Sequence, residues 1–213
     1  MKTDDLIDAL ARDLQPVSAG ALERGLAFSL ASGLVLSAAL ILIAHGLRPD
    51  LSLALHLPVF WIKSFYPLAL AATGIGAMIS VARPGGVPMA CGMAALSIYV
   101  VLVALGLWQL HVSPATDYPA LIFGSSYWFC PLIIVASALP VFAANIWFLR
   151  RAAPTHLGLA GFVAGMTAGA VGAWTYSWGC TENGLPFLAL WYTLGIGLCG
   201  LIGALTARRL LRW

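Results

Sequence analysis

The chain has 213 residues, of which 61% are hydrophobic and 9% are charged, and its formal net charge is +3. Soluble domains carry roughly 25% charged residues to cover their surfaces, so this composition excludes a water-soluble fold and indicates a surface that mostly faces lipid. Apolar runs dominate, no Gly triplet repeats, and only 11 basic residues and 4 cysteines occur, which excludes disordered, collagen-like, nucleic-acid-binding and disulfide-scaffold classes.

A short amphipathic helix is predicted within a cytoplasmic N-terminal segment of residues 1–25. Thr3 can cap this helix, Asp4 and Asp5 favour its first turn, and Pro16 ends it. Its apolar face consists of Leu6, Ile7, Leu10 and Leu14. Because the segment is acidic, anionic lipid headgroups should repel it, and a protein groove is the better receiver for the apolar face. The alternative is a solvated or interfacial helix that only leads into the first span.

Six apolar runs can cross the bilayer core, which is about 30 Å thick and requires about 20 helical residues. They lie at residues 26–44, 58–82, 90–110, 130–149, 157–178 and 186–207. Lys63 falls in the outer turns of the second run; it could pair with Asp50 or Asp117, and we expect it to snorkel to the interface. Transmembrane β-barrels are excluded because their strands alternate in polarity. The predicted fold class is therefore all-α, with a bundle of six transmembrane helices within residues 26–213.

The distribution of basic residues predicts the orientation of the bundle. With six spans both termini lie on one side, and the basic residues of that side are Lys2, Arg12, Arg24, Arg83, Arg150, Arg151, Arg208, Arg209 and Arg212. Only Arg48 and Lys63 lie on the opposite side. By the positive-inside rule, both termini are cytoplasmic.

Glycines recur at intervals of four in the fifth run, at Gly161, Gly165 and Gly169. One face of this helix therefore has almost no side chains. Small residues let helix backbones approach closely in lipid, so we expect another helix to pack against this face.

Two cysteines are predicted at the outward end of the bundle. Cys130 starts the fourth run and Cys180 follows the fifth, and the short loop between these runs makes the two helices antiparallel neighbours. Cys130 precedes Pro131 at a helix N-terminus, which favours thiolate, whereas Cys180 lies beyond a C-terminus and near Glu182. We therefore expect Cys130 to be the attacking or metal-binding thiol and Cys180 its resolving partner. A static structural disulfide remains the alternative, and the residue chemistry alone favours it.

A metal site is an alternative use of the same residues. His111, at the outward end of the third run, could join Cys130, Cys180 and Glu182, because thiolate and imidazole suit zinc, cadmium or copper(I). The spacing matches no zinc signature. No resident cofactor is predicted, and a soft metal ion would bind Cys130 and Cys180 transiently.

Enzymatic and transport functions find little support in the sequence. No H-E-x-x-H, G-x-S-x-G or C-x-x-C motif occurs, and no ionisable residue lies near the middle of a predicted span. The sequence therefore indicates a non-enzymatic detector. The alternative class is a small thiol-dependent membrane transporter or oxidoreductase.

The chain resembles the NrsF family in the order of seven segments: "TDDLIDALARDLQPV", "FWIKSFYPLALA", "RPGG", "YWFC", "LRRAAPTHLGLAGFVAG", "CTENGLPFLALWY" and "RRLLRW". The resemblance implies a six-span inner-membrane anti-sigma factor that sequesters an extracytoplasmic-function sigma factor. It also implies that two outward cysteines sense heavy metals or oxidants, and these fall on Cys130 and Cys180. The resemblance therefore favours a switch over a static bridge.

The resemblance supplies a partner for the N-terminal helix. We expect residues 3–14 to present their apolar face, Leu6, Ile7, Leu10 and Leu14, to a groove of the sigma factor. Asp4 and Asp5 would face basic surfaces that the sigma factor otherwise uses on DNA or polymerase. The chain itself would contact membrane lipids and the sigma factor, and no nucleic acid directly.

Overall fold

The computed structural model describes residues 20–152 and 154–211, and in this part of the chain every regular element is helical. The helices are α1 (Ala21–Ala44), α2 (Leu51–Ala54), α3 (Pro58–Val81), α4 (Met89–Val112), α5 (Tyr118–Ile122), α6 (Cys130–Leu149), α7 (Leu157–Ser177) and α8 (Leu185–Leu210). All except α2 and α5 are long and apolar enough to cross a membrane. The predicted fold class is confirmed. The predicted helix over residues 3–14 lies outside the described residues.

The helices extend beyond the apolar runs at several ends. α1 begins at Ala21 instead of residue 26, and α8 ends at Leu210 instead of residue 207. Backbone hydrogen bonding continues through the polar residues that flank each run, whereas hydropathy marks only the part that is apolar. The two short helices, α2 and α5, lie in loops for which the sequence predicted no element.

α7 is the central helix of the bundle and α4 is a peripheral one. α3, α6 and α8 all pack along α7, and α1 also reaches it. α4 packs mainly on α3 and on the first turns of α8, and most of its surface is exposed. Other helices can pack closely around a helix rich in glycine and alanine, because its small side chains allow the helix axes to approach each other.

The glycine face of α7 packs directly on α8, as predicted. Gly161 faces Gly203, so closely that a Cβ on either residue would overlap the carbonyl oxygen of the other. Gly165 faces the backbone of Cys199 and Gly200, where the Cα of Gly200 would lie 2.9 Å from an added Cβ. Close backbone packing therefore fixes the register of α7 against α8.

Polar side chains also join α7 to its neighbours inside the bundle. The hydroxyl groups of Ser37 in α1 and Thr175 in α7 share a 3.0 Å hydrogen bond. Asn145 in α6 donates from Nδ2 to the carbonyl oxygen of Ala164 in α7 at 3.1 Å. Such bonds between spans specify which helix faces pair, since lipid offers these groups no other partner.

The two ends of the bundle differ in what they hold. The cysteine end, defined as the loops 45–57, 113–129 and 178–184 with the adjoining helix turns, carries Cys130 and Cys180. The opposite end, called the terminal end, is where α1 begins and α8 ends. There Gly85 donates from its backbone to Thr155 at 3.2 Å.

Candidate functional site

The two predicted sensor cysteines meet in one buried cluster at the cysteine end. Cys130 has no exposed surface, Cys180 is 3% exposed, and both are free thiols. Pro131 lies in the first turn of α6, where its fixed φ suits a helix start, so Cys130 begins that helix. Cys180 follows α7, and its amide donates to the carbonyl oxygen of Tyr176 at 3.1 Å. Both cysteines belong to the same group of packed, buried residues.

Lys63 occupies the centre of this cluster, so the prediction that it snorkels to the interface was wrong. Its side chain is fully buried, and Nζ donates to the carbonyl oxygens of Cys180 at 2.7 Å and Glu182 at 2.8 Å. The ring centroid of Tyr192 lies 5.8 Å from Nζ. Carbonyl oxygens of the 178–184 loop thus replace water around the ammonium, which removes the need to reach the surface.

The carboxylate of Glu182 bonds to the segment just before Cys130. Its Oε1 accepts hydrogen bonds from the amide of Ser125 at 2.8 Å, the hydroxyl of Ser125 at 2.6 Å and the hydroxyl of Ser126 at 3.1 Å. The amide of Cys130 in turn donates to the carbonyl oxygen of Ser126 at 2.9 Å. Glu182 therefore ties the 178–184 loop to the start of α6.

Arg48 fastens the loop after α1 to the same region. Its guanidinium is buried and donates to both carboxylate oxygens of Asp50, at 2.8 and 2.7 Å, and more loosely to the Oδ1 of Asn183 at 3.5 Å. Its amide donates to the carbonyl oxygen of Trp178 at 3.2 Å. The hydrogen bond with Asp50 raises the pKa of Arg48, and the same bond lowers the pKa of Asp50. Asp50 thus pairs with Arg48, whereas Lys63 pairs with backbone carbonyl groups.

Asp50→Asn should reduce the acid sensitivity of the folded protein. The folded pKa of Asp50 lies below its unfolded value, so the pair stabilises the fold above the ordinary carboxyl pKa. That contribution is lost as the pH falls through the lowered folded pKa. We expect Asp50→Asn to unfold more easily than the wild-type chain at about pH 7, and to lose less further stability at about pH 3. Thermal unfolding in detergent at both pH values measures this.

Asp117→Asn is the matched control, because Asp117 is exposed and accepts only a 3.3 Å bond from its neighbour Thr116. Its thermal stability should match that of the wild-type chain at both pH values. If acidification lowers the stability of Asp50→Asn and of the wild-type chain by the same amount, the pairing of Asp50 with Arg48 is contradicted.

A wide turn in α8 brings Tyr192 into the cluster. Residues Leu188–Tyr192 form a π-helical turn, a feature frequent at functional sites, and Tyr192 is fully buried. Its ring centroid lies 5.8 Å from that of Tyr176, and the His45 ring lies 5.5 Å from Tyr176. The Tyr192 hydroxyl is buried and makes no hydrogen bond to any described residue.

The structure does not bring His111 together with the two cysteines. His111 is exposed near the end of α4, and its ring centroid lies 6.5 Å from that of Trp108. Within residues 20–152 and 154–211, no three or more His, Cys, Asp and Glu side chains form a group that could hold a metal. Of the predicted metal ligands, the two cysteines share the buried cluster, whereas the Glu182 carboxylate bonds to Ser125 and Ser126.

One residue of the cluster that was not predicted as a site residue carried a signal in the sequence. Lys63 is the one lysine inside an otherwise apolar predicted span, and an ionisable residue in a span is by default a functional candidate. Arg48 and Tyr192 carried no comparable signal. The predicted partner-binding residues, namely Asp4, Asp5, Leu6, Ile7, Leu10 and Leu14, lie outside the described residues.

Comparison with known proteins gives similarity over almost the whole chain. The model of the NrsF family, described as negative regulator of sigma F, matches residues 10–213. The probable anti-sigma-F factor NrsF of Azospira oryzae is 37% identical over 217 aligned residues, and the anti-sigma-F factor NrsF of Caulobacter vibrioides is 40% identical over 216. Both alignments cover 100% of this chain and 100% of the relative. No solved structure matches.

Proposed function

This chain belongs to the NrsF family of negative regulators of sigma F, and from that premise we propose that it is an inner-membrane anti-sigma factor that releases an extracytoplasmic-function sigma factor on stress. The observation that carries the proposal is full-length identity of 37% and 40% to two proteins named as anti-sigma-F factors. Anti-sigma factors are regulators and not enzymes. No feature of the described residues favours the alternative of a thiol-dependent transporter or oxidoreductase.

The proposed topology puts the cysteine end in the periplasm and the terminal end in the cytoplasm. The distribution of exposed basic residues supports this topology. The two basic residues of the cysteine end, Arg48 and Lys63, are both buried. Exposed basic residues at the terminal end include Arg83, Arg150, Arg151, Arg208 and Arg209. Because both exceptions are buried inside the fold, the asymmetry of exposed basic residues is stronger than the sequence count indicates.

The proposed signal is a change at Cys130 and Cys180. A soft metal ion could bind both sulfurs, or an oxidant could join them as a disulfide while it accepts two electrons and the thiols release two protons. α6 starts at Cys130, and Cys180 follows the last turn of α7, so a shift of either residue moves a helix that reaches the terminal end. Shifting a two-state equilibrium from 1:99 to 99:1 takes about 5.5 kcal/mol, which sulfur chemistry can supply.

The N-terminal segment is the proposed contact with the sigma factor. Leu6→Asp combined with Leu10→Asp puts two carboxylates into the proposed apolar interface. Loss of two buried anchors at about 2 kcal/mol each raises the Kd by on the order of a thousandfold. We expect the double variant to release the sigma factor without stress, measured by a sigma-dependent reporter and by co-purification from solubilised membranes.

Ala9→Asp combined with Gln15→Asp is the control for added charge. On a helical projection Ala9 lies outside the stripe of Leu6, Ile7, Leu10 and Leu14, and Gln15 follows the end of the predicted helix. This variant should still hold the sigma factor. Full repression by the Leu6 and Leu10 variant would refute the proposed contact surface, and failure of the wild-type chain to bind any sigma factor would refute the function.

A further inference from the structure

An apolar cavity lies between α4 and α7 in the half of the bundle that adjoins the terminal end. α4 packs on α3 and, near the cysteine end, on the first turns of α8, but it does not pack along α7. The starts of α4 and α7 therefore leave a space between them, with α3 behind it. Its volume is about 310 Å³, which lies in the range of small-molecule sites.

The wall of this apolar cavity suits a hydrocarbon chain better than water. Its floor consists of buried apolar side chains of α3, α7 and α8, namely Leu70, Ala77, Val163 and Ile196. The hydroxyl of Thr73, in the same wall, already donates to the carbonyl oxygen of Leu70 at 2.8 Å. A buried water needs two to four polar partners, so water gains little in this space.

The apolar cavity opens sideways, toward the surrounding lipid. Met89 at the start of α4 and Phe162 in α7 both line it and are 73% and 41% exposed. Along α7 the lining extends from Leu159 to Met166, which at 1.5 Å per residue is about 10 Å of helix. Half of a bilayer core is about 15 Å thick, so the cavity reaches through most of one leaflet.

A polar cavity adjoins the apolar one at the terminal end. The two cavities share Val87 and Leu159 as lining residues, and the polar one adds the exposed side chains of Thr155, His156 and Arg208. Among the described residues that line either cavity, the charged side chain is that of Arg208, and there is no carboxylate. The Thr155 hydroxyl accepts a bond from the amide of Gly85 and keeps its own hydrogen to donate.

From this pairing we propose that an anionic phospholipid of the leaflet at the terminal end binds between α4 and α7. One acyl chain fills the apolar cavity, and the phosphate group lies in the polar cavity near Arg208 and Thr155. A basic pocket between spans is a typical site for an anionic headgroup, and the adjoining cavity supplies the apolar part of the same molecule. Neither the sigma factor nor the pair of Cys130 and Cys180 takes part, so this site does not depend on the proposed function.

The test counts the lipids that stay bound to the full chain. The protein is reconstituted into nanodiscs with equal amounts of palmitoyl-oleoyl phosphatidylglycerol and phosphatidylcholine, transferred to detergent and measured by native mass spectrometry. We expect at least one phospholipid to remain bound. Phosphatidylglycerol should exceed phosphatidylcholine by about fivefold, the scale of effect of one arginine near an anionic headgroup.

Gly92→Phe tests the apolar cavity. Gly92 lines it, and a Cβ there would meet no other atom within 4 Å, so the phenyl ring can enter the space without displacing backbone. Excluding about two acyl methylene groups should lower lipid retention about tenfold. Gly197→Phe is the matched control, because a Cβ at Gly197 also has open space but this residue does not line the cavity. It should keep retention within about twofold of the wild-type chain.

Arg208→Gln tests the polar cavity. It should bring the retention of phosphatidylglycerol down to about that of phosphatidylcholine. Arg209→Gln removes an equally exposed charge from the next residue, which does not line the cavity, and should leave the fivefold preference unchanged. Circular dichroism shows whether each variant is folded. If Gly92→Phe does not fold, the comparison of Arg208→Gln with Arg209→Gln decides.

Three results would overturn the proposal. The first is a wild-type chain that retains no phospholipid. The second is unchanged retention in folded Gly92→Phe, or an unchanged preference for phosphatidylglycerol in Arg208→Gln. The third is a dimer in the native mass spectrum that Gly92→Phe dissociates, which would show that a second copy of the chain covers the cavity.

Discussion

Replacing Gly165 with alanine should destabilise the bundle by about 3 kcal/mol, at the upper end of the range for overpacked interiors. The added Cβ would overlap the carbonyl oxygen of Cys199, and it would lie 2.7 Å from the carbonyl carbon of Cys199 and 2.9 Å from the Cα of Gly200. All three atoms belong to backbone, so no side-chain rotation relieves the contact. α7 and α8 must separate, and no other pair of the described helices is in more extensive contact. Thermal or detergent-induced unfolding of the purified chain measures the loss.

Two glycines of the same helices provide matched controls. A Cβ at Gly158 in α7 or at Gly197 in α8 would meet no other atom within 4 Å. Alanine at these positions should be neutral or stabilising by up to about 1 kcal/mol, because alanine favours helix more than glycine does. If Gly165→Ala unfolds no more easily than Gly197→Ala, close backbone packing is not what holds α7 against α8.

Replacing both Cys130 and Cys180 with serine should abolish the release of the sigma factor by metal or oxidant, while repression without stress remains. Serine keeps nearly the same volume and can hydrogen-bond in the polar cluster, but it neither binds soft metals nor forms a disulfide. After stress, a sigma-dependent reporter should therefore stay at its repressed level in cells that carry the variant. In cells that carry the wild-type chain, its expression should rise. Membrane abundance of the variant, measured in parallel, shows that repression comes from a folded protein.

Cys91→Ser is the matched control for the loss of a thiol. Cys91 lies in the first turn of α4, at the terminal end, and is not part of the buried cluster of Cys130 and Cys180. In cells that carry this variant, stress should induce the reporter as it does in cells that carry the wild-type chain. Normal induction in the double serine variant would show that the signal enters through another part of the molecule.

The sequence by itself determined the six spans and the close packing of α7. Only a helix satisfies its own backbone in lipid, so an uncharged run of about 20 residues has one stable conformation. The packing face of α7 could likewise be predicted from the spacing of its glycines, because residues four apart share a helix face. These features depend on neighbours along the chain, and for that reason the predicted fold class was confirmed by the structure.

Tertiary structure alone decided which groups surround the buried Lys63 side chain and the Glu182 carboxylate. Lys63 and Cys180 are 117 residues apart in sequence, and the bond between them depends on how α3 meets the loop after α7. Glu182 lies two residues from Cys180, yet its carboxylate reaches Ser125, 57 residues away. A buried charge is stabilised by whatever groups the fold brings around it, and hydropathy contains no information about those groups.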